Sequence, residues 1–532
     1  MTADAAQELE FDLCGPLPTG VTVLEASAGT GKTFTIATLA ARFVADGVGL
    51  DQLLLVTFTR MATGELRERV RERLVATERA LARALAGAGR GEGDGVASLL
   101  ATGPREQVEL RRARLAAAIA DFDAATIDTT HSFCQGVLDE LGTLGDLEPD
   151  VTFTENVDDL IEEVVDDLYV RRFHREGRPP FSRAAALEVA RTAIEHPLAK
   201  VYPASAPEHT EAAMRARLAL RARSELERRK RALAVITYDD LLTRLQATLA
   251  GPRGPEAVAR LRARYRAVLI DEFQDTDPIQ WEIVSRAFGD GSVALVLIAD
   301  PKQAIYAFRG ADVYAYLDAV DGAGTRRTLR VNRRSDQPLI DAFDALFRRA
   351  RLGHEGIVYR RVRAAPGHRE PRLRGPDGGG GLGGTGFAAL RVRVLDRSQP
   401  TLELTARGYA QAPSARAHIA ADLAADMVEL LEADARIETR AQDGARRGEE
   451  RVAPRHLAVL VHNHWQASQV QAALADAGVP AVVGGAGSVF APPRAATAWH
   501  MTRFIRWPPC SGGALCCDGS SNRAGSSVHP LH

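Results

Sequence analysis

The chain has 532 residues, enough for three or four domains at about 150 residues each, so only a miniprotein is excluded. Its 67 Lys and Arg against 69 Asp and Glu leave a net charge of −2, so no global cationic field advertises nucleic acid and any DNA-binding surface has to be local. Five cysteines without regular spacing give neither a disulfide framework nor a zinc pattern. Residues 1–30 hold no basic segment followed by an apolar one, and no run of about 18 apolar residues occurs, which predicts a cytoplasmic protein with no membrane segment.

In chain order, short Val/Ile/Leu runs at 21–24 (VTVL), 53–56 (LLLV), 267–270 (AVLI) and 293–298 (VALVLI) predict strands buried on both faces. Helical-period segments separate them, so the expected fold class is α/β, a doubly wound parallel sheet. The helical stretches at 61–120 and 155–248 are too long for simple crossovers and predict an inserted helical subdomain. A Gly-rich segment at 375–386 reads as a loop. Beyond it, a helix at 414–433, a strand at 457–461 (LAVLV), a helix at 465–477 and a short strand at 480–483 predict a second α/β unit. From Ala491 the pattern dissolves, and two of four tryptophans and three of five cysteines fall in the last 42 positions, 491–532. Those residues are either a disordered natural tail or a foreign, out-of-frame terminus; the Trp and Cys content favours the second.

Three motifs carry chemistry. The strand at 21–24 runs into Ala26-Ser27-Ala28-Gly29-Thr30-Gly31-Lys32-Thr33 and then a helix. This is a phosphate-cradling loop with alanine in place of its first glycine. Gly29 and Gly31 let backbone N–H groups wrap phosphates, Lys32 reaches the β/γ-phosphates and the Thr33 hydroxyl binds Mg²⁺, so ATP and Mg²⁺ are the expected cofactors. The second motif, AVLIDEFQDTDPIQ at 267–280, ends a strand in two carboxylates: Asp271 to hold Mg²⁺ and Glu272 to orient and activate water. The third, VLIADPKQAIYAFRGAD at 296–312, sets Lys302 and Gln303 in a turn ahead of Tyr306, Phe308 and Arg309. Those aromatics either stack single-stranded bases or fill the core. Only four residues of the chain are lysine against 63 arginines, a skew that coding bias explains, yet Lys32 and Lys302 both fall inside motifs.

The ordered set ASAGTGKT, VTFTRMATGELRERV, TIDTTHSFC, ITYDDLL, LIDEFQDTDP, ADPKQAIYAFRGAD and LRVNRRS resembles superfamily-one DNA helicases of the UvrD type over about residues 11–490. Within them, EASAGTGKTFTIATL and DPKQAIYAFRGADVYAYLDA are most similar to the RecB group of exonuclease V subunits. The resemblance implies a RecA-like motor domain at 1–145 and 235–322, a helical insertion at 146–234, and the first part of a second RecA-like domain at 323–490. It also implies Gln303 on the γ-phosphate and Arg334 as an arginine finger across an interdomain cleft. Phe58, His131, Tyr306, Phe308 and Arg309 would line a single-strand channel, although His131 is equally readable as structural. The implied partners are single-stranded DNA, DNA ends and RecC- and RecD-like subunits; the implied activity is ATP-driven 3′→5′ movement in double-strand-break repair. Arg333 stands where the family has an aromatic to stack on adenine, a task a guanidinium plane also performs. The fourteen arginines from Arg326 to Arg374 either track a phosphate backbone or form a solvated surface. The last motor motifs and a nuclease domain do not follow residue 490, so the expectation is a truncated form with little turnover. The alternative is a non-catalytic regulator that only anchors ATP and DNA. A small-molecule kinase shares the first motif but not DEFQD, DPKQ and NRRS together.

Overall fold

The computed structural model describes residues 10–484 except 88–93, 143–150, 155, 176–178, 198, 206, 308–309, 376–387 and 441–444. The proposed terminus at 491–532 and, but for Gly375, the loop expected at 375–386 therefore lie outside the described residues. The chain divides into two compact units, Met1–Arg393 with Ala433–Val452 and Val394–Glu432 with Ala453–His532.

The first unit is an α/β fold around a six-stranded, wholly parallel sheet. Its strands are β1 (Val21–Ala26), β2 (Leu53–Thr57), β3 (Thr126–Thr129), β6 (Ala267–Ile270), β7 (Ala294–Ala299) and β8 (Thr325–Leu329), in the order β3-β2-β6-β7-β1-β8. Registers such as Leu53↔Ala267, Ala267↔Ala294 and Val21↔Leu295 bring the carboxyl ends to one edge. Both faces are covered, which is why the four central strands read as continuous apolar runs. Val23, Leu54, Val268, Ile270, Leu295 and Leu297 point into one core; Leu24, Leu53, Leu55, Leu269, Val296 and Ile298 point into the other.

The second of these cores is closed by α1 (Lys32–Asp46), α2 (Arg60–Leu85), α3 (Gly95–Leu100) and α4 (Arg105–Ala120), so the single helical stretch expected at 61–120 is three helices. Thr59 caps α2 by accepting from Ala62 N at 3.1 Å, and Leu66, Val70, Leu74 and Leu81 form its buried stripe. The opposite core packs α5 (Thr130–Leu141), then, after the insertion, α9 (Tyr238–Ala250), α10 (Gly254–Arg264), α11 (Pro278–Phe288) and α12 (Val313–Gly322).

Between α5 and α9, helices α6 (Asp158–Phe173), α7 (Arg183–Glu195) and α8 (Glu211–Ala232) enclose a separate core of Ile161, Val164, Val165, Phe173, Phe181 and Leu226. A two-stranded parallel ribbon, β4 (Thr152–Phe153) with β5 (Val235–Ile236), ties its two ends together.

Two expectations need correction. The boundary expected after residue 322 falls inside the first sheet, because β8 continues it beside β1 with Thr22 opposite Thr325. As an edge strand β8 is polar over its first four residues (TRRTL) and lacks the Val/Leu run that marks the others. Nor do 457–461 and 480–483 form strands: no described residue pairs with them, and Leu460 and Val482 are 96% and 95% exposed. Apolar content alone does not make a strand without a ladder neighbour. What the second unit does contain is α14 (Ala412–Glu432) and α15 (His464–Asp476), packed through Ala424 and Leu474 with Val479.

The first unit continues after β8 with β9 (Val331–Asn332), α13 (Gln337–Phe347) and β10 (Arg363–Ala364). A small antiparallel sheet of β11 (Leu373–Arg374), β12 (Arg436–Arg440) and β13 (Arg446–Arg451) follows. No helix among the described residues is long and apolar enough to cross a membrane.

Candidate functional site

The carboxyl ends of β1, β6 and β7 bring the three motifs to one place, the edge at which open α/β sheets bind ligands. After Ala26 the chain turns through Ser27–Gly31, with Gly29 at φ +78° and Gly31 at φ +88°. Side chains disfavour that region, and at Gly29 space forbids one as well: an added Cβ would lie 2.7 Å from Arg334 Cβ and 2.9 Å from Asn332 Oδ1. Thr30 closes the turn by donating its N–H and its hydroxyl to Ser27 O at 3.2 and 2.7 Å. Helix α1 then starts at Lys32 with Thr33, so its unpaired first N–H groups and positive dipole end face the loop.

Lys32 forms an ion pair with Glu272, so the expected phosphate-binding cation and the expected base already meet. Glu272 sits at φ +51°, a left-handed conformation rare outside glycine, which turns its side chain off the strand direction toward Lys32. Its N–H donates to Asp271 Oδ1 at 2.9 Å, and Asp271 is itself pinned by its N–H to Val56 O at 2.8 Å. Burial pushes the Asp271 carboxyl up to about 6; the neighbouring Glu272 charge adds to this and Lys32 opposes it. Asp275 is likewise pushed up to about 6 by burial and by Glu272. A buried carboxyl whose ionised form is opposed by burial and by a neighbouring carboxylate, and which offers oxygen donors only, fits a hard divalent cation such as Mg²⁺.

Gln303 lies in the turn after β7, and its Nε2 donates to Asp300 Oδ2 at 2.6 Å. The same oxygen accepts the phosphate-loop N–H of Ala28 at 3.1 Å. Gln274 closes the ring, accepting Asp300 N at 2.9 Å and donating to Glu272 Oε2 at 2.7 Å. From the other side, Asn332 Nδ2 donates to Ala28 O at 2.9 Å while its Oδ1 accepts the N–H groups of Arg334 and Ser335 at 2.8 Å each. Arg333 N donates to Gly29 O at 2.7 Å. The Arg333 and Arg334 side chains are therefore held beside the loop within the same unit, exposed, and among the described residues neither guanidinium forms an ion pair.

Of the residues expected to contact nucleic acid, Phe58 at the end of β2 and Tyr306 after β7 meet with ring centroids 5.4 Å apart. His131, on the first turn of α5, belongs to a separate group: its ring lies edge-on to Tyr238 at 6.0 Å, and its Nε2 is 3.9 Å from Asp239 Oδ1, whose carboxyl it holds below the usual range. Arg60, two residues after Phe58 at the start of α2, donates to Tyr238 OH at 3.1 Å, and Phe153 lies 6.1 Å from the same ring. Phe308 and Arg309 lie outside the described residues.

Asn332, Asp300, Gln274 and Tyr238 belong to the site although their motifs do not single them out. They are the N of NRRS, the D of DPKQ, the Q of DEFQD and the Y of ITYDDLL. Their task is to hold other residues, which spacing alone does not display.

The UvrD/REP helicase N-terminal domain family matches residues 13–322. The chain is 44% identical over 484 residues to the RecBCD enzyme subunit RecB of Mycolicibacterium smegmatis, and 42% identical over 486 residues to that of Mycobacterium tuberculosis; each alignment takes in 90% of this chain. It is 41% identical to the Escherichia coli RecB over 126 residues, 24% of this chain. The chain spans 42% of the length of the two mycobacterial relatives.

Proposed function

The chain belongs to the UvrD/REP helicase family, and from that premise we propose that it is the ATP-binding motor portion of a RecB-like DNA helicase subunit, moving 3′→5′ on single-stranded DNA in recombinational repair of double-strand breaks. The observation that carries this reading is the convergence of phosphate loop, acidic pair and Gln303 on one edge, with the Phe58–Tyr306 pair beyond the ends of β2 and β7, on either side of β6. Residues up to β8, without the helical insertion, act as the first motor domain, and the second begins beyond it. The similarity to RecB points to RecC- and RecD-like subunits and DNA ends as partners, and to a cytoplasmic location.

In this reading Gly29, Thr30 and Gly31 cradle the phosphates together with the α1 N-terminus. Lys32 exchanges Glu272 for the β/γ-phosphates, which frees the Glu272 carboxylate to accept the proton of the attacking water. Thr33 and Asp271 would hold Mg²⁺, whose contribution is to neutralise charge on the phosphate oxygens. One Gln303 amide hydrogen is taken by Asp300, which leaves the other for the γ-phosphate. Arg334 stands beside the loop to stabilise transition-state charge, and Arg333 offers its plane to the base. Phe58 and Tyr306 stack bases in any sequence, with Arg60, His131 and Tyr238 extending the track.

Anisotropy of a labelled 20-mer oligo-dT tests this. Phe58→Ala and Tyr306→Ala should each weaken binding by a factor of about 5 to 150, the equivalent of about 1–3 kcal/mol per stacked base. Wild-type protein that ignores single-stranded DNA, or variants that bind it unchanged, would refute the reading.

A further inference from the structure

Asp300 is 2% exposed at the end of β7, and both its oxygens are engaged. Oδ2 takes the Ala28 N–H of the phosphate loop and the Gln303 amide. Oδ1 faces Lys302 Nζ at 2.6 Å and accepts the Lys302 N–H at 3.3 Å. Lys302 Nζ also lies 3.7 Å from Glu25 Oε1, and Glu25 Oε2 meets Arg360 Nε at 2.6 Å and Tyr316 OH at 3.5 Å. Asp300, Lys302, Glu25 and Arg360 thus form a chain of alternating charge, the last three only 15%, 6% and 18% exposed.

A buried ion chain is a poor way to gain stability, because desolvating each charge offsets most of the attraction. What it does supply is direction. A carboxylate on a single bond is free to rotate, and here one of its oxygens has to serve two donors from different segments at once. Lys302 fixes the other oxygen, and Glu25, immediately before the phosphate loop, fixes Lys302 in turn. Arg360 holds Glu25 from the far side.

We propose that Lys302 and Glu25 are positioning residues that aim the Gln303 amide at the terminal phosphate, so that the site distinguishes a nucleoside triphosphate from a diphosphate. This rests on the reading above that Gln303 meets the γ-phosphate. It assigns Lys302 a task apart from holding nucleotide as such: the diphosphate is held by the loop, Lys32 and α1, which Lys302 reaches only through Asp300 and the single Ala28 N–H.

Calorimetric titration of the intact chain with Mg-ADP and Mg-ATPγS separates the possibilities. Lys302→Met is expected to leave ADP affinity within about twofold and to weaken ATPγS about tenfold, abolishing the preference for the triphosphate. Glu25→Gln, which leaves Lys302 on Asp300, should lose about threefold of that preference, and Lys302→Arg, which keeps a cation for Asp300, should retain most of it. If Lys302→Met does not fold, Lys302→Gln, with a neutral donor in the same place, is expected to shift the ratio in the same direction. An unchanged ratio, or equal weakening of both nucleotides with a lowered melting temperature, would overturn the proposal, since a merely structural lysine behaves so. Wild-type protein that binds neither nucleotide would instead refute the nucleotide site itself.

Discussion

Asn332→Ala removes the side chain that sews the phosphate loop to the segment carrying Arg333 and Arg334. Asn332 is 6% exposed and makes three hydrogen bonds of 2.8–2.9 Å, one to Ala28 O and two from the N–H groups of Arg334 and Ser335. At about 1 kcal/mol net for each, the loss is about 3 kcal/mol. Arg333 N still donates to Gly29 O, so the segment stays attached but loosened. Were the whole loss expressed in ordering the loop on ligand binding, affinity would fall about 150-fold at 1.4 kcal/mol per decade; shared with folding, the expectation is a fall of about tenfold and a melting temperature lower by a few degrees. Titration with a fluorescent ADP analogue, alongside a thermal melt, measures both. A variant that melts and binds like the wild type would show that Asn332 does not hold the loop.

Gly29→Ala combines a positive φ with a contact 2.7 Å from Arg334 Cβ. The backbone term costs about 1–2 kcal/mol, so nucleotide affinity should drop at least tenfold by the same titration, and an unchanged affinity would mean the loop is not held at that φ. Asp94 caps α3 through Val96 N and Ala97 N and chelates Arg73 at 2.6 and 2.9 Å. Burial opposes its ionised form, but the Arg73 guanidinium and the two amides outweigh it and hold its pKa below the ordinary value. A lowered folded-state pKa stabilises the protein above the unfolded value near 4 and loses that effect as pH falls through the folded one. Asp94→Asn should therefore lower the melting temperature at pH 7 more than at pH 3, and an equal loss at both pH values would contradict this.

Elements whose residues state their environment are legible in the sequence. The four central strands are apolar on both faces because both faces are buried; Asp271 and Glu272 follow β6 directly, and Lys32 and Gln303 lie one short turn beyond β1 and β7. β8 is not legible: four of its five residues are polar, and only Leu329 carries an apolar signal. The segment 457–461 misleads for the opposite reason, since Leu460 is apolar and exposed with no ladder neighbour. Spacing likewise cannot show that Asp300 serves two donors, or that Tyr238 joins His131 and Arg60, because these contacts link segments far apart along the chain.

The central claim is that the loop at 26–33 binds nucleotide phosphate through Lys32, and calorimetric titration of the purified chain with Mg-ATPγS, beside Lys32→Ala, tests it most directly. Saturable one-to-one binding by the wild type, weakened at least a hundredfold in the variant while the melting temperatures stay alike, is the predicted result. No binding by the wild type, or equal binding by both, would contradict the account.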